Sequence, residues 1–238
     1  MEVHPEKQLQ DALNKIGLFK SIQAPALRKI ARDCHIKRYE PRAWVIGHGD
    51  ETKDIFFIIE GNATVRIDSK EGVGVIFREL HAGDVFGEYA AIDRKPRSAT
   101  VQARVNCTTV FMSAENFRKA VCAEPDLAWA LLEHLVLETR QLTDRVFEFS
   151  TLCVQNRVQA ELLRIAKEAL ESCSENQVEI CSAPSDSEIA SRTSTHREAV
   201  NREIGRLSKQ SVLERHGRTI LIKDIAALEQ MVHAAIGD

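Results

Sequence analysis

The chain has 238 residues, of which 44% are hydrophobic and 28% charged, and its 32 basic and 35 acidic side chains leave a formal net charge of −3. These are the values of a globular protein long enough for two domains; they give no overall attraction to nucleic acid, so any basic surface must be local. No apolar run reaches the ~18 residues of a membrane span, and Met1 to Lys7 lacks a basic start followed by an apolar core, so a cytoplasmic protein without membrane partners is expected.

Leu9, Leu13 and Ile16, then Leu27 and Ile30, carry helical spacing broken around Gly17 and Pro25, which predicts two short helices before Cys34. From Trp44 to Phe111 the period changes. Runs such as Ile55 to Ile59, Ala63 to Ile67 and Thr108 to Phe111 are separated by turn signals at Gly61-Asn62, Gly72 and Gly83-Asp84. Regularly spaced strands with glycine turns predict a small antiparallel barrel or jelly roll whose interior can hold one ligand. After Pro125 the residues Leu132, Leu135, Thr139, Leu142, Val146 and Phe149 step alternately by three and four. That is the apolar seam of a coiled coil, flanked by Glu138, Arg140, Asp144 and Arg145, and it predicts parallel self-association rather than packing within one domain. Val154 to Leu170 reads as another helix and Ser172 to Gln177 as a polar loop. Six scattered cysteines (Cys34, Cys107, Cys122, Cys153, Cys173, Cys181), with no Cys-x-x-Cys pair, read as reduced and mostly buried thiols; no metal site is expected.

Within the β-rich part, the segment Phe86 to Thr100 sets an acidic residue, Glu88, nine positions before an arginine, Arg97, with Gly87 and Ser98 beside them. A carboxylate accepts hydrogen bonds from sugar hydroxyls, whereas a guanidinium fork suits a phosphate. Gly87 lets a backbone approach closely and Ser98 adds a hydroxyl donor. On charge spacing alone, a surface loop closed by a Glu–Arg pair comes first.

The last part reads as two capped helices. Ser185-Asp186-Ser187-Glu188 starts the first, and Ser194-Thr195-His196 caps a second running from Arg197 through Leu207. On the second helix Val200, Ile204 and Leu207 share an apolar face, while His196, Arg197, Asn201 and Arg202 lie largely outside it. Ser211 to Ile222 then reads as a β-hairpin turning at His216-Gly217, making a winged helix-turn-helix. From Pro184 to Lys223 eight basic residues face five acidic ones, the local sign required for phosphate binding.

The cassette Phe86-Gly87-Glu88, Tyr89-Ala90-Ala91, Arg97-Ser98-Ala99 resembles the phosphate-binding cassette of cyclic-nucleotide-binding domains, and the glycine turns at Gly47, Gly61 and Gly83 fall where that family has them. With the long helix and the winged unit, the chain resembles the cyclic-AMP receptor protein/fumarate-nitrate regulator family from about residue 15 to 225. The resemblance implies an α+β chain with a cyclic-nucleotide-binding jelly roll (1–124), a dimerisation helix (125–152) and a winged helix-turn-helix DNA-binding domain (153–238). It implies a ligand site of Gly87, Glu88, Tyr89, Ala90, Arg97, Ser98, Ala99, Leu142 and Thr143. It likewise implies DNA contacts from Arg192, Ser194, His196, Arg197, Glu198, Asn201 and Arg202, with Arg197, Glu198 and Arg202 reading bases of inverted GTGA-like half-sites. The implied protein is a homodimeric, non-enzymatic transcription regulator acting on double-stranded DNA with RNA polymerase, and cyclic AMP or cyclic GMP is its allosteric ligand.

Cyclic-AMP-specific members place two neighbouring hydroxyl residues on the dimer helix, where this chain has Leu142-Thr143. That departure keeps cyclic AMP only narrowly ahead of cyclic GMP. Another signal or ligand-free activity would remain within the family, but an iron–sulfur sensor needs a cysteine cluster where only Cys34 stands. His35, His48 and His81 are unremarkable as haem ligands, and a ligand-free member usually loses Glu88 or Arg97. No spacing connects Asp186-Ser187 and the histidines as nucleophile, base and orienter, so no enzyme is expected.

Overall fold

The computed structural model describes residues 5–68, 74–170 and 176–237; Gly72, Cys173 and the first part of the expected loop at 172–177 lie outside them. The chain forms two compact units, Met1–Thr139 and Arg140–Asp238, which divide a single long helix.

The first unit begins with α1 (Pro5–Leu13), a 3-10 turn (Gly17–Phe19) and α2 (Ala24–Arg32). Pro25, expected to interrupt helical spacing, instead sits in the first turn of α2, where its missing N–H costs nothing. Among the described residues eight strands follow: β1 (His35–Tyr39), β2 (Trp44–Ile46), β3 (Ile55–Glu60), β4 (Ala63–Asp68), β5 (Gly74–Leu80), β6 (Val85–Phe86), β7 (Thr100–Ala103) and β8 (Cys107–Met112). They pair antiparallel in two four-stranded sheets of order β1-β8-β3-β6 and β2-β7-β4-β5, the expected jelly roll. The uninterrupted apolar run of β3 has a simple cause. Ile55 and Phe57 pack into the core shared with α1 and α2, whereas Phe56 and Ile58 point into the interior between the sheets. The six-residue α3 (Glu88–Asp93) separates β6 from β7, and α4 (Ala114–Ala123), started by a Ser113 cap on the Asn116 N–H, follows β8. The 27-residue α5 (Pro125–Thr151) then leads out of this unit.

In the second unit α6 (Val154–Leu170) carries a buried face of Val158, Leu162, Leu163 and Ala166. α7 (Asp186–Arg192) and α8 (Arg197–Lys209) form the helix-turn-helix. α7 starts with the capping box read from sequence: the Glu188 N–H donates to Ser185 Oγ, and Glu188 Oε2 accepts from the Ser185 N–H at 2.7 Å. α8 differs, because its N-cap His196 makes no side-chain cap bond and Ser194 sits in the turn at φ +49°. β10 (Leu213–His216) and β11 (Thr219–Ile222) make the expected wing, joined by a third strand, β9 (Val178–Ile180), and followed by α9 (Ile225–Ile236). Val158, Ile189, Val200, Ile204, Leu207, Ile220 and Leu228 fill one core.

The cysteine expectation needs correction. Cys34 and Cys107 are buried, and burial pushes the Cys34 thiol up to about 12, but Cys122, Cys153 and Cys181 are exposed. No helix among the described residues is long and apolar enough to cross a membrane.

Candidate functional site

Gly87 follows β6 in the left-handed region, at φ +81°, and its backbone conformation aims the next residue inward. Glu88 opens α3 and is only 5% exposed; its Oε2 is fully buried and has no hydrogen-bond partner. Burial pushes its carboxyl above the ordinary carboxylate range, opposed by its backbone N–H, Arg78 and Arg97. Arg97 is only 3% exposed. Its Nε donates to Thr52 Oγ1 (3.0 Å), Nη1 to the Gly87 carbonyl (3.0 Å) and Nη2 to the Asp54 carbonyl (2.7 Å), and its guanidinium lies 5.7 Å from the Phe56 ring centroid. The backbone at Arg97 is pinned as well, its N–H donating to the Asp50 carbonyl and its carbonyl accepting from the Gly49 N–H, both at 2.9 Å. A guanidinium has five N–H groups, so with three engaged by these residues two remain for an anion.

The structure thus brings Gly87, Glu88, Ala90, Arg97, Ser98 and Ala99 together in the first unit, with Ala90 buried and Ser98 exposed. Glu88 and Arg97 are not a surface ion pair closing a loop. Tyr89 is turned toward α5, where its hydroxyl donates to Glu138 Oε2 at 3.1 Å. Leu142 and Thr143 lie on α5 in the second unit, both exposed.

Sequence reasoning missed three neighbours of Glu88. Glu138, read as a charge flanking the seam, accepts instead from Arg78 Nη1 of β5, and Arg78 Nη2 also lies 3.6 Å from Asp84. His134, one turn before Glu138, sits 3.6 Å from it. Burial, reinforced by the Arg78 charge, pushes His134 below the ordinary imidazole range, and its Nε2 is buried without a hydrogen-bond partner. The signal available in the sequence was the i, i+4 spacing of His134 and Glu138.

In the second unit the side chains of Ser194, His196, Arg197, Glu198, Asn201 and Arg202 are exposed, on the turn and the side of α8 opposite Val200, Ile204 and Leu207. Arg192 is the exception. It is 6% exposed and donates from Nη1 to Glu161 Oε1 at 3.1 Å. Glu161 also takes Arg164 and lies 3.5 Å from Arg145, while Arg145 Nη1 donates to the Arg192 carbonyl at 2.6 Å. Arg192 therefore does not belong among the DNA contacts: the last turn of α7 faces the core, and the charge is neutralised there. Glu203, also buried, accepts from Gln159 (2.6 Å) and Arg206 (2.7 Å), fixing α8 on α6.

Comparison with known proteins agrees with both halves. Residues 36–123 match the cyclic nucleotide-binding domain family and residues 156–231 the Crp-like helix-turn-helix domain family. The chain is similar to the cAMP-activated global transcriptional regulator CRP of Salmonella typhimurium, with 27% identity over 201 residues covering 83% of this chain and 94% of that protein. It is also 28% identical to the cAMP-activated global transcriptional regulator Vfr of Pseudomonas aeruginosa, covering 82% and 92% of the two chains. Among solved structures, the c-di-GMP responsive global regulator CLP of Xanthomonas campestris superposes with a TM-score of 0.73 at 18% identity, covering 84% of this chain and 99% of that one. With a nucleotide-binding jelly roll and a Crp-like helix-turn-helix joined in this order, the chain belongs to the cyclic-AMP receptor protein/fumarate-nitrate regulator family of cyclic-nucleotide-binding transcription regulators.

Proposed function

We propose that the protein is a homodimeric regulator that binds a cyclic purine mononucleotide in the jelly roll and, in that state, binds palindromic DNA of two GTGA-like half-sites. The observation that carries this reading is the pairing of two buried, oppositely charged groups on one cassette: the Arg97 fork, with two N–H groups left, and the unpartnered Glu88 oxygen. The fork takes the cyclic phosphate with Ser98, Glu88 accepts from the ribose hydroxyl, and the base lies toward Leu142 and Thr143. The apolar seam side chains exposed along α5 (Leu132, Leu142, Val146, Phe149) form the dimer contact. Two copies of α8 would then stand roughly 34 Å apart, one duplex turn, with Arg197, Glu198 and Arg202 toward the bases.

The ligand acts by binding the DNA-competent state more tightly; a 100-fold preference supplies ~2.7 kcal/mol. Cyclic AMP is narrowly preferred because relatives spanning most of the chain are described as cAMP-activated. Leu142 favours a second reading, a regulator selective for cyclic GMP, since it offers the base no hydrogen bond. RNA polymerase is the expected partner at the promoter.

The test is a calorimetric titration with cyclic AMP, cyclic GMP and cyclic di-GMP, with and without a palindromic duplex. Binding of one mononucleotide that tightens duplex affinity supports the proposal. Indifference to both mononucleotides at millimolar concentration overturns it.

A further inference from the structure

We infer that Glu88, His134 and Glu138 form a binding site for a divalent first-row transition metal ion, such as Zn²⁺. The three residues each offer a ligand atom within 4.8 Å of the other two. His134 and Glu138 stand one turn apart on α5, so both face the same side of that helix, and Glu88 meets them from the start of α3. Ligands on one zinc ion lie ~2.0–2.2 Å from it, hence at most a little over 4 Å from each other, so small side-chain rotations close the site.

Two independent features point to a cation rather than to a satisfied polar cluster. Glu88 Oε2 and His134 Nε2 are buried atoms without hydrogen-bond partners, and Glu88 is more than nine-tenths buried. A buried acceptor left unpaired is costly, and a metal ion satisfies several at once. The charges agree as well. Glu88, Glu138 and Asp84 lie about Arg78, and Arg97 also acts on Glu88, so three carboxylates meet two guanidiniums and a formal deficit of one positive charge remains. The donor set of one imidazole and two carboxylates selects a transition ion over Mg²⁺ or Ca²⁺, which take oxygen ligands alone. Such an ion ties α3 to α5 within the first unit and leaves further coordination positions open to water. It shares Glu88 with the proposed ribose contact, so cation and nucleotide compete; this consequence rests on the proposed function, whereas the metal site does not.

The experiment is titration of chelator-treated full-length protein with ZnCl₂ by calorimetry and with CoCl₂ by visible absorption, the exposed thiols having been alkylated first. His134→Gln and Glu138→Gln are measured beside it, with circular dichroism to verify folding. One ion per chain in the parent protein, and affinity at least ten-fold weaker in each folded variant, is the expected result. No binding by the parent protein, binding that disappears when thiols are alkylated, or equal binding by folded variants overturns the site. A cyclic nucleotide titration with and without saturating Zn²⁺ separates the two readings. Nucleotide binding without metal binding removes this inference and leaves the proposed function, metal binding without nucleotide binding does the reverse, and nucleotide affinity unmoved by bound Zn²⁺ overturns the sharing of Glu88.

Discussion

The guanidinium of Arg97 donates from Nη1 to the carbonyl of Gly87 at 3.0 Å, and a Cβ added at Gly87 would stand 2.8 Å from that same nitrogen. The two residues are therefore one device: the left-handed backbone at φ +81° presents the carbonyl, and the missing side chain leaves room for the fork. Gly87→Ala should cost ~1–2 kcal/mol through its backbone alone and more through the displaced guanidinium. Urea denaturation should report that loss, and calorimetry should report weaker nucleotide binding; an unchanged affinity would separate Gly87 from the phosphate site.

Arg97→Ala carries a stability consequence that the sequence did not suggest. Read from its motif alone, the arginine waits for a phosphate and could be removed with the fold intact. In the structure it satisfies Thr52 Oγ1 and the carbonyls of Gly87 and Asp54; Thr52 is exposed and can turn to water, whereas the half-buried Gly87 and Asp54 carbonyls lose a partner at up to ~1–3 kcal/mol each where water cannot reach them. The variant should lose nucleotide-stimulated DNA binding and melt at a lower temperature. Undiminished nucleotide affinity in the folded variant would remove Arg97 from the pocket.

Glu88→Gln should move stability and affinity in opposite directions. Burial raises the Glu88 carboxyl above its usual 4.5, so its contribution to folding is present below that value and is lost as the pH rises through the folded-state value. The neutral amide escapes that loss, so the variant should melt higher than the parent at neutral pH and show a flatter dependence of melting temperature on pH in that window. Nucleotide affinity should fall ~10-fold or more, because a hydrogen bond to a charged acceptor is worth ~1.5–3 kcal/mol. Equal melting curves at neutral pH would show the parent carboxylate compensated in solution, and unchanged nucleotide affinity would move the ribose elsewhere.

Much of this architecture was written locally. The strand runs, glycine turns, Ser185 capping box and the whole of α6 follow from propensity and spacing, and the order Phe-Gly-Glu before Arg-Ser-Ala marked the cassette. What stayed hidden depends on tertiary partners. Nothing near Arg192 in sequence announces Glu161, 31 residues away, and so the arginine read as one more basic residue of a DNA-binding unit. Glu138 likewise read as a seam-flanking charge because its partner Arg78 lies 60 residues earlier on β5. β9 is only three residues long and exists by pairing with β11, a context that single-sequence periodicity does not contain.

The two arginines bracketing the turn of the helix-turn-helix should separate cleanly. Arg197→Ala, on the exposed start of α8, should relax preference at one guanine of each half-site by ~1–3 kcal/mol with little change in melting temperature. Arg192→Ala should do the reverse: it should lower the melting temperature, by less than the ~3–5 kcal/mol of an isolated buried pair because Glu161 keeps Arg164 and Arg145, while base preference in the folded protein stays as it was. Site selection paired with thermal denaturation measures both. Altered base preference in Arg192→Ala at unchanged stability would return that side chain to the DNA surface.

Val146 tests the dimer. It is 65% exposed on α5, at a seam position shared with Leu142 and Phe149, so in a lone chain a charge placed there meets water and costs the fold little. In a paired seam the same charge is buried against its symmetry mate, without a counter-ion, and two like charges are desolvated together. Val146→Asp should therefore weaken dimerisation at least ten-fold, worth ~1.4 kcal/mol, while circular dichroism stays close to that of the parent. Sedimentation equilibrium reads the first effect directly. Duplex titration reads its consequence, since monomers must occupy the two half-sites independently and lose the coupling between them. A variant that remains dimeric at the parent's dissociation constant would place the two-fold contact on a different face of the molecule.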